Sequence, residues 1–186
     1  MANFTKQAIK NSFMKLLNQK PLNKISVREI VEDCDINRNS FYYHFHDIPS
    51  LTEEIIMEET NRLIDKYPTL NSLHTFIDEL DEVCTQNRTA ILHIYNSVSR
   101  EVYEKYMMHL CDEIVWKYAK TIQGVIPLDE KEDLVLHNGA KYMLFGFCQE
   151  WISGGLEKDY VQDLHIMCDL VYDLLSHIAT EKRHNV

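Results

Sequence analysis

Several kinds of signal are missing from this chain, and each absence narrows what it can be. No CxxC pair occurs: the five cysteines, Cys34, Cys84, Cys111, Cys148 and Cys168, are scattered singly. An odd number of isolated cysteines, with no signal-peptide pattern at the start, points to a reducing cytoplasm rather than a disulfide framework. Long apolar runs are missing too; the stretch Tyr142 to Cys148, counting Gly146, is far too short to span a bilayer, so no membrane partner is expected. There is no HExxH, GxSxG, Walker phosphate loop, GxGxxG or paired-cysteine zinc signature. An enzyme is therefore not expected, nor a cofactor or a metal. Glycine and proline are sparse, at five and four residues, and no β-hairpin signal, repeat or low-complexity tract competes with helical patterning.

What is present suits a folded helical protein. At 186 residues with 45% hydrophobic content, the chain can bury one core or two small subdomains sharing one. The net charge of −10 argues against a nucleic-acid partner until its distribution is read. Residues 1–50 carry seven Lys or Arg against five Asp or Glu, whereas the remaining 136 carry 12 against 24. Such asymmetry fits a head that can approach phosphates through a few placed contacts and an acidic body held away from them.

The most informative stretch runs from Ile25 to Leu51, ISVREIVEDCDINRNSFYYHFHDIPSL. Ser26, with Glu29 three positions on, forms the reciprocal pattern that ties down orphan N–H groups, and Val27, Ile30 and Val31 supply apolar periodicity; this predicts a helix over 27–34. A sharp turn follows at Cys34-Asp35-Ile36, where Asp35 can take the left-handed conformation and Asn37 can cap the next helix, beginning at Arg38. Phe41 and Phe45, four apart, can pack inward while Arg38, Asn39, Tyr42 and Tyr43 project elsewhere. Asp47 caps a fourth helix, with Pro49 tolerated in its first turn. Before this unit, residues 5–17 form an amphipathic helix with Ala8, Ile9, Phe13, Leu16 and Leu17 on one stripe.

This pattern is that of a DNA-reading helix-turn-helix. The string NRNSFYYHF from Asn37 through Phe45, followed by a capped helix with Leu51, resembles the N-terminal DNA-binding domain of the tetracycline-repressor (TetR/AcrR) family of bacterial transcription regulators. Two departures are visible: Asp35 stands where such proteins often have Gly, and Ile48 where many carry a phosphate-contacting Lys. The segment Phe145 to Leu156, FGFCQEWISGGL, also looks like the Trp-then-Gly ending of one C-terminal subtype. The resemblance implies an all-α fold: a three-helix head over residues 1–48, and a helical effector-binding and dimerisation body over 49–186, with helix 49–66 as linker and about nine helices in all.

Beyond the linker, helices are expected at about 70–86, 88–97, 99–123, 130–153 and 160–181, with breaks at Asn87, Gly124–Pro127 and Gly154-Gly155. On the last of them Leu164, Met167, Val171, Leu174, Leu175 and Ile178 recur at spacings of three and four, and the preceding helix supplies Leu134, Met143 and Phe147. The residues alone allow this seam to pack on its own body or on a second copy; the resemblance implies a homodimer.

A dimer sets two recognition helices into successive major grooves, so a near-palindromic double-stranded operator can be read. Arg38 matches a guanine edge and Asn39 an adenine edge. Ser26, Arg28, Asn37, Ser40, Tyr42, Tyr43 and His44 suit phosphate or groove-wall positioning, although Ser26 can serve only as a cap, Arg28 be only solvated, and one tyrosine be partly core. The resemblance further implies an unknown small-molecule effector in the body, for which His93, Tyr95, Tyr103, Met107, Trp116, Tyr142, Phe145 and Trp151 are candidates on aromatic or polarisable character. The reading is a ligand-responsive regulator, a repressor. Its alternatives are a helical protein–protein adaptor that keeps the fold, and a metal-responsive regulator using His165, Cys168 and Asp169, which share a helix face.

Overall fold

Several helix starts in this protein, at Ser26, Asn37, Asp47 and Asp129, coincide with side chains that satisfy orphan backbone N–H groups. The computed structural model describes residues 2–122 and 128–184. Among them are nine α-helices and no strand: α1 (Ala2–Leu17), α2 (Val27–Asp33), α3 (Arg38–His44), α4 (Ile48–Lys66), α5 (Leu73–Gln86), α6 (Arg88–Tyr95), α7 (Arg100–Ile122), α8 (Glu130–Ser153) and α9 (Lys158–His184). The all-α expectation holds. The expected break at Gly124–Pro127 lies outside the described residues, as does the last residue of the helix expected over 99–123.

Contacts divide the described chain into two units, one of residues up to 61 with 86–104 and one of residues 62–85 with 105 onward; the division falls inside α4, before the last residue of α5 and inside α7. In the first unit Ile9, Phe13 and Leu17 of α1 meet Ile30 of α2, Phe41 of α3 and Leu51 of α4, all with 0–1% exposure. Full burial of each such side chain stabilises by about 1.5–3 kcal/mol. Ala90 and Ile94 of α6 pack on the same core, and the Nδ1 of His93 reaches the carbonyl of Leu17, 2.7 Å away, where α1 has run out of its own donors. The Oγ of Ser12 donates to the carbonyl of Ile30 at 3.1 Å, a buried polar tie between α1 and α2.

The second unit is built around Leu63, Ile64, Phe76, Ile77, Ile114 and Tyr118. Phe76 and Tyr118 meet edge to face with ring centres 5.6 Å apart, and the Tyr118 hydroxyl donates to the carbonyl of Tyr67 at 2.6 Å. Asp129 caps α8 by accepting from the N–H groups of Lys131 and Glu132, while Glu132 reaches back to Asp129 N at 2.9 Å. At its far end α8 unwinds through Gly154 and Gly155, the latter at φ 81°, and Leu156 N returns to the carbonyl of Trp151 at 2.7 Å. Leu156 holds a left-handed φ of 65°, a conformation its side chain disfavours, and is 6% exposed. Burial of that side chain offsets the strain.

Candidate nucleic-acid interface and ligand cavity

The turn between α2 and α3 is assembled as its residue types require. Ser26 Oγ accepts from Glu29 N, and Glu29 returns its carboxylate to Ser26 N at 3.0 Å, so the reciprocal cap is complete. Asp35 sits at φ 52°, and Ile36 N bonds the carbonyl of Val31 at 3.0 Å, closing the turn. Asn37 Oδ1 then accepts from Ser40 N at 2.9 Å and starts α3. Phe41 and Phe45 are buried, which forces the intervening side of α3 outward: Tyr42 is 56% and Tyr43 80% exposed. Arg38 and Asn39 are exposed beside them, and Ser40 and His44 are half-buried.

Charge pairing decides which of the head's cations are at hand for phosphates. Lys6 bonds Glu54 at 2.8 Å, Lys10 bonds Glu54 and Glu58, Lys15 bonds Asp33 at 2.5 Å and Lys20 bonds Glu29. Arg28 is exposed but its Nε donates to Glu32 at 2.6 Å. Arg38, by contrast, makes no ion pair among the described residues. Asn37 and Ser26 are occupied as caps, so any contact with a partner is additional to that duty. Ile48 packs against the head core, which accounts for an apolar residue at the start of α4.

The second unit holds a partly open cavity of about 440 Å³ lined by α5, α7, α8, α9 and the residues just before α5. Its wall is formed by residues such as Leu73, Ile77, Leu136, Leu144 and Trp151. Of the eight sequence candidates for a pocket only Trp151 stands in the wall. His93, Tyr95 and Tyr103 belong to the other unit, where Tyr95 and Tyr103 pack edge to face at 4.9 Å. Trp116 and Tyr142 are exposed, with the ammonium of Lys120 3.3 Å above the Trp116 ring. Met107 and Phe145 are half-buried outside the wall.

The dimer candidates divide in an unexpected way. Met143, Phe147, Leu164, Met167, Val171 and Leu175 line the cavity, so the broad seam read from spacing turns largely inward. Leu134 and Leu174 are exposed, and Ile178 is half-buried. The outward faces carry a different apolar set: Val135 and Tyr142 on α8, and Ile166, Leu170 and Leu174 on α9.

Beside the cavity a four-residue chain joins α5 to α9. His74 Nε2 bonds Asp169 Oδ1 at 2.8 Å, His165 Nε2 bonds Asp78 Oδ1 at 2.9 Å, and the two Nδ1 atoms meet at 2.7 Å. The ring planes are parallel to within 6°, with centres separated by 4.9 Å. Sequence reasoning noticed His165, Cys168 and Asp169 but missed His74 and Asp78. The signal was there: His and Asp four apart on α5, mirrored by His and Asp four apart on α9. Asn71, Asp133 and His137 are further wall residues without a sequence cue. His137 Nε2 bonds Asp112 at 2.9 Å, and with Lys141 it holds the Asp112 carboxyl below the usual carboxylate range. Burial pushes the Cys84 thiol up to about 12. No group of three or more His, Cys, Asp or Glu among the described residues has the arrangement of a metal site.

Comparison with known proteins bears on both units. The family of bacterial regulatory proteins named for tetR matches residues 14–55, and the transcriptional regulator C-terminal region matches residues 71–176. The chain belongs to the TetR family. This TetR-family chain is thus a DNA-binding transcription regulator with a helix-turn-helix head. Among solved structures, the dihydroxyacetone kinase operon activator DhaS is 19% identical and superposes with a TM-score of 0.64 over 95% of this chain and 96% of that one, a likeness of fold. No curated protein matches the sequence significantly. Among the described residues of this regulator, no helix is long and apolar enough to cross a membrane.

Proposed function

We propose that this regulator is a cytoplasmic, homodimeric repressor that binds a near-palindromic operator and releases it when a small molecule occupies the cavity. Residues 1–48 read DNA, residues 49–186 bind the effector and pair with a second copy, and the helix from 49 to 66 links the two roles. The observation that carries the reading is α3: a short helix pinned by Phe41 and Phe45, whose exposed Arg38 makes no ion pair among the described residues. Arg38 contacts a guanine edge and Asn39 an adenine edge, while Ser26, Arg28, Asn37, Ser40, Tyr42, Tyr43 and His44 position the backbone. Pairing runs through the outward faces of α8 and α9, where Leu134 and Leu174 remain from the sequence reading and Val135, Tyr142, Ile166 and Leu170 join them. The cavity suits the effector because its volume falls in the range of drug-sized sites and its wall is mainly apolar. An effector shifts the equilibrium only by as much as it prefers one spacing of the two heads over the other.

Selection of bound fragments from a random DNA pool tests the proposal. Two half-sites about one helical turn apart are expected, and Arg38→Ala weakens the selected site by about 1–3 kcal/mol with unchanged melting temperature. Failure to enrich any sequence, or an Arg38→Ala protein that binds like the parent, overturns the assignment. The name of the DhaS neighbour carries the opposite sign, activation of an operon. A promoter-reporter fusion separates the two: expression rises on deletion of a repressor and falls on deletion of an activator.

A further inference from the structure

We infer that the cavity selects a largely apolar molecule without negative charge, bearing a hydrogen-bond acceptor, a ketone, ester or ether oxygen, that meets the indole N–H of Trp151. The inference rests on reading the cavity as the effector site and adds the chemistry of its occupant.

Charge comes first. No Lys or Arg stands in the wall, whereas Asp133 and Asp169 do. Lys141, on the same helix as much of the wall, is turned to Asp112 at 3.3 Å and to Asn138 at 3.0 Å. The two wall histidines already face carboxylates, His74 with Asp169 at 2.8 Å and His137 with Asp112 at 2.9 Å. A positive charge on either is answered before a ligand arrives. Neither wall thiol supplies a positive charge: burial pushes Cys168 up to about 11, and the hydrogen bond from Cys111 lowers Cys148, whose ionised form is negative. An anion entering here would lose its hydration and find no cation in exchange.

Shape and the one unmet donor complete the description. Leu, Ile, Phe and Met side chains dominate the wall, and Met143 and Met167 can adapt to an irregular outline. Trp151 borders the cavity, is 9% exposed, and its Nε1–H is buried without an acceptor. Buried donors are nearly always paired, so an unpaired one calls for a partner that the protein alone does not supply. The nitrogen has almost no free surface, so the inferred contact requires the ring edge to turn toward the ligand oxygen.

Three probes of one shape separate these claims: benzophenone is a neutral ketone, diphenylmethane keeps the two rings without the oxygen, and 4-benzoylbenzoate adds a carboxylate. Affinities of the full chain are measured by equilibrium dialysis, for the parent and for Trp151→Phe. Benzophenone is expected to bind about three- to tenfold more tightly than diphenylmethane, the factor that one net hydrogen bond gives. The carboxylate should weaken binding about tenfold or more relative to benzophenone. In Trp151→Phe the preference for the ketone disappears while diphenylmethane affinity is kept, which also reports an intact cavity. Preferential binding of 4-benzoylbenzoate, or a ketone preference that survives in Trp151→Phe, overturns the inference and leaves the cavity as a ligand site. If none of the three binds, the effector-site reading itself fails and takes the inference with it.

Discussion

The two units of this protein bury their apolar side chains to different ends. In the first, six large side chains of four helices close on one another with almost no exposure, and the caps Ser26, Asn37 and Asp47 are each answered by a residue three positions on. The second is larger yet has only Leu63 and Cys111 among its fully enclosed large side chains, and its apolar residues surround empty space. Dense interiors resist deformation, whereas walls around a void can move at small cost. The difference teaches that the part suited to reading a fixed shape is built rigid, and the part suited to sensing is left incompletely packed.

Paired core truncations break this comparison most directly. Phe41→Ala should cost about 3–5 kcal/mol, the usual range for a closed core, and should abolish the folded head at moderate temperature. Phe147→Ala, at the cavity wall, should cost less than half as much, because its neighbours already lack partners on one side. Chemical denaturation of the two variants decides it. Equal losses would mean that the void is filled in solution.

Loss of a turn group probes the rigid unit more finely. Asn37→Ala removes the acceptor for Ser40 N, which should destabilise by about 1 kcal/mol and fray the start of α3. Amide exchange at Ser40 should accelerate while exchange in α1 stays unchanged. If α1 accelerates equally, the head unfolds only as a whole.

Acid supplies the smallest effect. Burial raises the Glu54 carboxyl, but hydrogen bonds from Lys10 and Lys6 outweigh it and leave it below the ordinary 4.5; the hydrogen bond from Ser50 N leads the causes that lower Asp47 below 3.8. Both groups are depressed in the folded state. Their stabilisation is therefore present above the ordinary carboxylate range and is lost as pH falls through the lower folded values. Thermal melts from pH 6 to pH 3 should show an acid-side decline that Glu54→Gln makes shallower. A decline of unchanged slope assigns it to other carboxylates.

The head was legible in the sequence because its boundaries are written in local chemistry. Ser26 with Glu29, Asp35, Asn37 and Asp47 each act within four residues, and the backbone obeys them at each position. The body's helices were legible for a similar reason: α8 starts at its Asp129 cap and ends at Gly154. Which side of α8 and α9 turns inward was not legible. Both helices are apolar over much of their circumference, so spacing alone gives two answers for Met143, Phe147, Leu164 and Val171, and only packing chooses. His93 shows the same limit from the polar side, since its partner is a carbonyl 76 residues earlier.

Along the outward edge of α8, two residues have no side chain at all: a methyl group placed on Gly139 or Gly146 would meet nothing within 4 Å. Alanine at either would favour the helix by roughly 1 kcal/mol in an isolated chain. Under the proposed pairing through α8, bare positions of this kind leave room for the side chains of a second copy. Gly139→Ala should accordingly raise thermal stability at high dilution and weaken association in sedimentation, two changes of opposite sign from one added carbon. Should both quantities improve together, the room is empty by accident and the copies meet elsewhere.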